Sequence, residues 1–283
     1  MKKALTMLMC MLMVFTLAAC SSKNKIDEEA MKTYITATDN LAKVKSAAID
    51  MKFLVDADEL NTHAKITMNG SFNAKQKLQM ALRVDAAVNG IGMEDLATIY
   101  MKDDVVYANI MDMQKEYMPL DDKMLSKLNL DKETGNLKTN AEKAFEEMSI
   151  ERKDGKKIIT AVLNKNSLKS AKSYANKSIN DDTFNIGDGI KVTDVSEAAY
   201  IMTVNEQNQL ERLDMKITAA YVMEDADENK KTAVMDINMS LNINDINQVD
   251  TIDFPSFKGY KRANQSKTGA KDLLDEFSDE NAA

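Results

Sequence analysis

The chain has 283 residues, with 37 Lys and Arg against 45 Asp and Glu, a formal net charge of −8, 44% hydrophobic residues, 21 Met, one His and no Trp. An acidic body of this kind excludes electrostatic binding to nucleic acid or to an anionic membrane surface. Both cysteines, Cys10 and Cys20, fall in the first twenty residues, which excludes a disulfide framework, a thiolate metal site and a cysteine nucleophile from the rest of the chain.

The N-terminal segment has the order of a secretory leader. Lys2 and Lys3 give a positive start, Ala4 to Leu17 an apolar run, and Leu17-Ala18-Ala19-Cys20 a small-residue cleavage site ending on a cysteine. This pattern predicts a signal peptide over residues 1–19 and a mature chain that starts at Cys20. A lipid on Cys20 follows from the resemblance of this stretch to bacterial lipoprotein signals. Two acyl chains, at about 0.8 kcal/mol per buried CH₂, hold a protein on a bilayer where one does not. The competing readings are an ordinary signal peptide that leaves Cys20 a free thiol, and an uncleaved anchor. Without Lys2 and Lys3, 35 basic residues face 45 acidic ones, a net charge of −10; without Met1, Met7, Met9, Met11 and Met13, 16 methionines remain.

Residues 20–26 form a short polar tether, spanning at most about 20 Å. Asp27 is a candidate N-cap, followed by Glu28 and Glu29. Met31, Tyr34, Thr38 and Leu41 then recur at helical spacing, predicting an amphipathic helix to about Ser46. From Ile49 the period becomes two: Ile49, Met51, Phe53 and Val55 share one face, opposite Asp50 and Lys52. Ala64, Ile66, Met68, Gly70 and Phe72 repeat this pattern, as do Leu78, Met80, Leu82, Val84, Ala86 and Val88. Asn89-Gly90 is a hairpin signal, and Lys102-Asp103-Asp104 divides Ile99–Met101 from Val105–Ile110.

Helical spacing predicts helices over Asp121–Leu130, over Leu137–Met148 through Ala141, Ala144 and Phe145, and after Asn166 through Leu168, Ala171 and Ala175. Strands are expected at Ile158–Leu163, Tyr200–Val204, Leu213–Met223 and through Ala233, Met235, Ile237, Met239, Leu241 and Ile243. Asp50-Met51-Lys52-Phe53 and Asp214-Met215-Lys216-Ile217 echo each other and suggest two similar half-sheets, with chance as the competitor. Beyond Lys261 the chain turns polar and ends in an acidic tail, with Leu273, Leu274 and Phe277 near a frayed terminus.

Motifs for chemistry are few. His63 opens a strand with no nucleophile in its pattern. Lys267-Thr268-Gly269 and Ser22 with Lys25 match β-lactamase boxes, but one lies in the tail and the other in the tether. Asp225, Asp227, Asn229 and Asp236 match calcium-loop positions, yet Lys230 replaces the required glycine, so a solvated hairpin loop is the better reading. These residues predict no enzyme, no cofactor and no metal. The methionines Met51, Met68, Met80, Met215, Met223, Met235 and Met239 instead fall on apolar strand faces. There they either fill an ordinary core or line a cavity for a flexible apolar ligand.

Several segments resemble the LolA, LolB and LprG-like carriers of bacteria over roughly Asp27 to Tyr260. They are Leu41-Ala42-Lys43-Val44-Lys45-Ser46, Leu78-Gln79-Met80, Lys115-Glu116-Tyr117-Met118-Pro119-Leu120, Tyr200-Ile201-Met202-Thr203-Val204 with Gln209-Leu210, and Ile252-Asp253-Phe254-Pro255. The resemblance implies an α+β fold in which a strongly curved antiparallel sheet, a half-barrel, carries helices on its concave side. That domain would span 27–260, with 261–283 as a polar acidic tail. It further implies a membrane-anchored, extracytoplasmic and monomeric envelope lipoprotein that binds a lipid or an acylated protein. The expected lining is Met51, Phe53, Met68, Met80, Leu82, Met215, Ile217, Met235, Ile237 and Met239. Two alternatives stay open. One is an envelope interaction or sensory module with a filled core. The other is a transporter's substrate-binding lipoprotein, which would need alternating strand-helix units in two lobes.

Overall fold

The computed structural model describes residues 25–120, 141, 143–179, 190–224 and 230–263, with the backbone alone at 60, 177–179, 190 and 223–224. The leader, Cys20, the helix expected over Asp121–Leu130, the acidic loop Asp225 to Asn229 and the tail from 264 lie outside the described residues. The described chain opens with β1 (Lys25–Ile26), α1 (Glu28–Leu41), β2 (Ser46–Ala57), β3 (Thr62–Asn73), β4 (Gln79–Val88), β5 (Ile91–Lys102), β6 (Val105–Ile110) and β7 (Gln114–Pro119). After it come β8 (Phe145–Lys153), β9 (Lys156–Leu163), α2 (Lys165–Ile179), β10 (Ile190–Val204), β11 (Leu210–Glu224), β12 (Lys230–Asn244) and β13 (Lys261–Arg262).

All thirteen strands make one open sheet in the order β1-β8-β9-β10-β11-β12-β2-β3-β4-β5-β6-β7-β13. Two antiparallel meanders, β8 to β12 and β2 to β7, are joined where β12 pairs with β2, from Asp236 opposite Asp56 to Asn244 opposite Ala48. Each outer edge is covered by a two-residue parallel strand. β1 lies on β8 and β13 on β7, which shortens the unpaired backbone that open sheets otherwise expose. Among the described residues the architecture is α+β, mostly strand, with two long helices. The echoing tetrapeptides sit on β2, first of its meander, and on β11, fourth of the other, so they do not mark equivalent positions.

Turn chemistry matches its sequence signals. Asn89-Gly90 and Asp103-Asp104 are two-residue loops with positive φ at both positions, the geometry that a tight hairpin requires. α1 starts where expected, because the Asp27 carboxylate accepts the Ala30 N–H at 2.9 Å and Glu28 and Glu29 occupy the positive end. It stops at Leu41 and not at Ser46. The backbone of Lys45 and Ser46 is taken by tertiary partners: Lys45 N–H donates to Asn247 Oδ1, Ala74 N–H to Lys45 O, and Asn247 N–H to Ser46 O. The helix expected over Leu137–Met148 is also corrected: helix ends at Ala144 and β8 begins at Phe145.

α1 packs Ala30, Met31, Tyr34 and Ala37 against the strand residues Phe145, Met148, Ile159, Tyr200, Met202, Leu213 and Met215. Tyr34 meets the Phe145 ring edge-on at 5.4 Å, and Phe145 meets Tyr200 at 6.4 Å. Both ends of the helix are pinned: Asp27 N–H donates to Met148 O, Glu29 pairs with Arg152, and Asn40 Nδ2 donates to Asn208 O. α2 begins at the N-cap Asn164, whose carbonyl oxygen accepts Ser167 N–H at 3.0 Å while its amide donates to Lys143 O. It packs Leu168 and Ala175 on Val192, Val195 and Ala219. Asn176 is tied to the Val192 backbone by both its amide groups. Among the described residues no helix is long and apolar enough to cross a membrane.

Gly70 is a close-approach position in β3. A Cβ there would stand 2.0 Å from the carbonyl oxygen of Ala81 and 2.8 Å from Leu82 Cδ2, so only glycine fits between β2 and β4. Gly70→Ala is expected to lower stability by about 1–3 kcal/mol, as overpacking does. Gly92→Ala, with nothing within 4 Å, is the control; equal urea midpoints for the two variants would contradict the close approach.

Candidate functional site

Strand side chains alternate between faces, so residues paired in register share a face. One row runs Ala161, Tyr200, Met215, Met239, Phe53, Ile66, Ala86 across seven strands. The next runs Ile159, Met202, Leu213, Leu241, Met51, Met68, Val84, Ala97, Ile110. Both are wholly apolar apart from the Tyr200 hydroxyl.

Burial along these rows changes at one seam. From Ile159 to Met51 every side chain of the second row is at most 7% exposed, and the first row is as dry as far as Phe53. Past β2 the same rows become half-buried: Ile66, Met68, Val84, Ala86, Ala97 and Ile110. α1 and α2 explain the difference, because both pack on residues of the dry half. A second, smaller cluster, Met80, Leu82, Met101 and Val106, closes the far end of β4 to β6 and meets the main core through Ile49 and Phe72.

The register thus brings all ten expected lining residues onto one face. Met51, Phe53, Met80, Leu82, Met215 and Met239 are buried within it, and Met68, Ile217, Met235 and Ile237 are half-buried. Met51 stands opposite Met68, Phe53 opposite Met239, and Ile217 opposite Ile237. Met223, the remaining methionine of the pattern, is described by its backbone alone. A groove of about 640 Å³ lies elsewhere, open to solvent along α1 between Ile26, Met31, Ile35, Lys32 and Asp39. None of the ten expected residues lines it.

The opposite face holds what the sequence pattern did not reveal. Tyr100, Tyr107 and Tyr117 line up across β5, β6 and β7, and the segment after β12 lays Phe254, Phe257 and Tyr260 over them. Phe257 stacks on Tyr107 at 3.7 Å between centroids, and Lys102 Nζ sits 5.1 Å from the Phe254 ring centre. Phe254, Phe257 and Tyr260, three residues apart in a polar stretch, were the available signal. Asn73 ties the strap down by donating to Val249 O and Asp250 O.

Among the described residues, the ion pairs join side chains on the outer face and the edges. His63 Nδ1 lies 3.0 Å from Asp56 Oδ1, and both side chains are about half exposed. Burial pushes the Tyr34 and Tyr200 phenols well above their ordinary range, so both stay neutral in the core. Asp236, the last residue of the acidic-loop pattern, accepts the Thr218 hydroxyl at 2.6 Å within the sheet. Among the described residues no three His, Cys, Asp or Glu side chains converge as a metal site.

Partial burial raises the Asp214 pKa, but Arg212, with contacts of 2.6 and 2.8 Å, and the Ser240 hydroxyl at 2.6 Å outweigh it and hold the carboxyl below its ordinary range. A carboxylate depressed in the folded state contributes stability above its unfolded pKa of about 3.9 and loses it as pH falls through the lower folded value. The melting temperature is therefore expected to drop below about pH 4. Asp214→Asn should lower it at neutral pH and flatten the acid-side drop; an unchanged acid slope would contradict this.

No family model matches the sequence, and no curated protein does. Among solved structures, the chain is similar to the lipoprotein LppX of Mycobacterium tuberculosis, at 12% identity and a TM-score of 0.42, over 80% of this chain and 100% of that one. It is also similar to LprF of Mycobacterium bovis, at 9% identity and a TM-score of 0.41, over 81% and 98% respectively.

Proposed function

We propose that this protein is an acyl-anchored envelope lipoprotein that shelters hydrocarbon, from a lipid or an acylated partner, against the apolar face of β3 to β6. The observation that carries the reading is the seam in burial. Along its two central rows this continuous apolar face is dry under α1 and α2 and half-buried beyond β2, with no described helix over that part. Each methylene moved from water onto such a surface gains about 0.8 kcal/mol, and flexible Met68 adapts to chains of different shape. Register breaks at Val84/Ala86 in the β4–β5 pair and at three places in the β10–β11 pair, with the close approach at Gly70, support a sheet that curls as a half-barrel around its helices. The domain over 27–260 acts as a monomer, without catalysis, on the extracytoplasmic side of a membrane. Cys20 carries the lipid.

A second reading has its own support. Six of the ten expected lining residues are already packed by their own neighbours, as in an interaction module whose core is filled and whose partner sits on the outside.

Two measurements test these readings. Metabolic palmitate labelling is expected in the native chain and absent in Cys20→Ala; label retained by the variant contradicts the anchor. A fluorescent fatty acid is expected to bind the native chain, and Met68→Lys to weaken it about tenfold or more, the equivalent of ~1.4 kcal/mol. Absence of uptake by a folded native chain favours the filled-core module.

A further inference from the structure

Large apolar side chains exposed on the described surface are mostly single: Met113, Ile201 and Val234 lie on separate strands or turns. The exception is the tip of the β4–β5 hairpin, where Val88 is 42% exposed, Ile91 74% and Met93 38%. Val88 pairs with Ile91 and Ala86 with Met93, so the three project from one face, the same apolar face that runs back to Val84 and Met68. The eight residues Ala86 to Met93 carry no charge. Along the hairpin charge resumes at Asp85, Glu94 and Asp95, where Arg83 Nε sits 3.1 Å from Asp85 and 2.8 Å from Asp95; on the neighbouring β3, His63 is hydrogen-bonded to Asn89 and lies 3.0 Å from Asp56. Three residues separate this collar of three carboxylates and one guanidinium from the tip, about 10 Å at ~3.4 Å each. That is the depth, about 5–10 Å, to which apolar faces enter the boundary of a bilayer.

The strand directions say which end of the sheet faces the anchor. β1 runs parallel to β8, toward the end that holds the Lys153–Lys156 turn and the β10–β11 turn. The backbone therefore enters β1 from the other end, where antiparallel pairing through β12, β2 and β3 puts Asn89-Gly90. Cys20 is five residues before Lys25, a reach of no more than about 18 Å. We propose that the Val88–Met93 hairpin tip inserts into the bilayer that holds the Cys20 anchor, orienting the half-covered apolar face with its open end toward the membrane. The inference rests on the anchor proposed above. The uncharged tip suits this contact in a chain of net charge −8, whose acidic body gains nothing from headgroup charge.

The chain has no Trp, so one introduced indole reports alone. The full-length chain with Ile91→Trp, purified after expression with its leader, is placed in phosphatidylcholine vesicles with and without bromine on the acyl chains. Mass spectrometry of the same sample reads the acyl group on Cys20. Glu206→Trp, in the β10–β11 turn at the opposite end, is the control. The expected result is indole emission from the Ile91→Trp variant shifted to shorter wavelength and mostly lost to bromine, with the Glu206→Trp variant unaffected. An acylated chain whose Ile91→Trp emission is solvated and unquenched overturns the inference and leaves the anchor standing. Quenching in a chain without acyl groups upholds insertion of the tip and removes the anchor. Quenching at both positions reports immersion of the whole chain and also overturns the inference.

Discussion

The pairing of β12 with β2 is the interaction on which the molecule depends. It joins residues 236–244 to 48–56, so that two meanders from opposite ends of the chain share one sheet. Closing a loop of this length has an entropic cost that rises only slowly with chain length, and the return is continuity of the apolar face. Met239 against Phe53 and Leu241 against Met51 carry both rows across the junction. Without this pairing each meander would present an unpaired edge and half of a core.

The same seam divides the two central rows by burial. On the β12 side, the face is committed to α1 and α2, with Tyr34, Phe145 and Tyr200 in edge-on contact. On the β3 side, Gly70 keeps the strands close while Ile66, Met68 and Val84 stay half-buried. The outer surface of β5 to β7 is held by the aromatic strap of Phe254, Phe257 and Tyr260. That half of the sheet thus takes support from its outer face, while on its inner face Met80, Leu82, Met101 and Val106 pack together and Ile66, Met68 and Val84 stay half-buried. The β4–β5 hairpin continues that inner face beyond the sheet.

Alternation made most strands legible. β2, β3, β4, β6, β9 and β12 appear in the sequence because every second residue is apolar, and the ten residues assigned to one face are on one face. Bulges hid the rest. Phe145 and Met148 are three apart yet both buried, because the β8–β9 register slips between Phe145 and Glu147; that spacing reads as a helix. Val192, Val195 and Ala198 do the same on β10, with a slip in each interval. In β5, Asp95 takes positive φ and its N–H donates to Asp85, breaking the alternation before Leu96. Periodicity also tells which face is apolar without telling what lies over it, so the division between dry and half-exposed rows had no counterpart in the sequence.

The central claim is where hydrocarbon sits. Photocrosslinking the full chain with a diazirine-bearing fatty acid, followed by peptide mapping, tests it directly. The account predicts adducts on β3 to β5, at the peptides that contain Ile66, Met68, Val84 and Ile99. Adducts confined to the α1 groove at Ile26, Met31 and Ile35, or none on a folded chain, would contradict it.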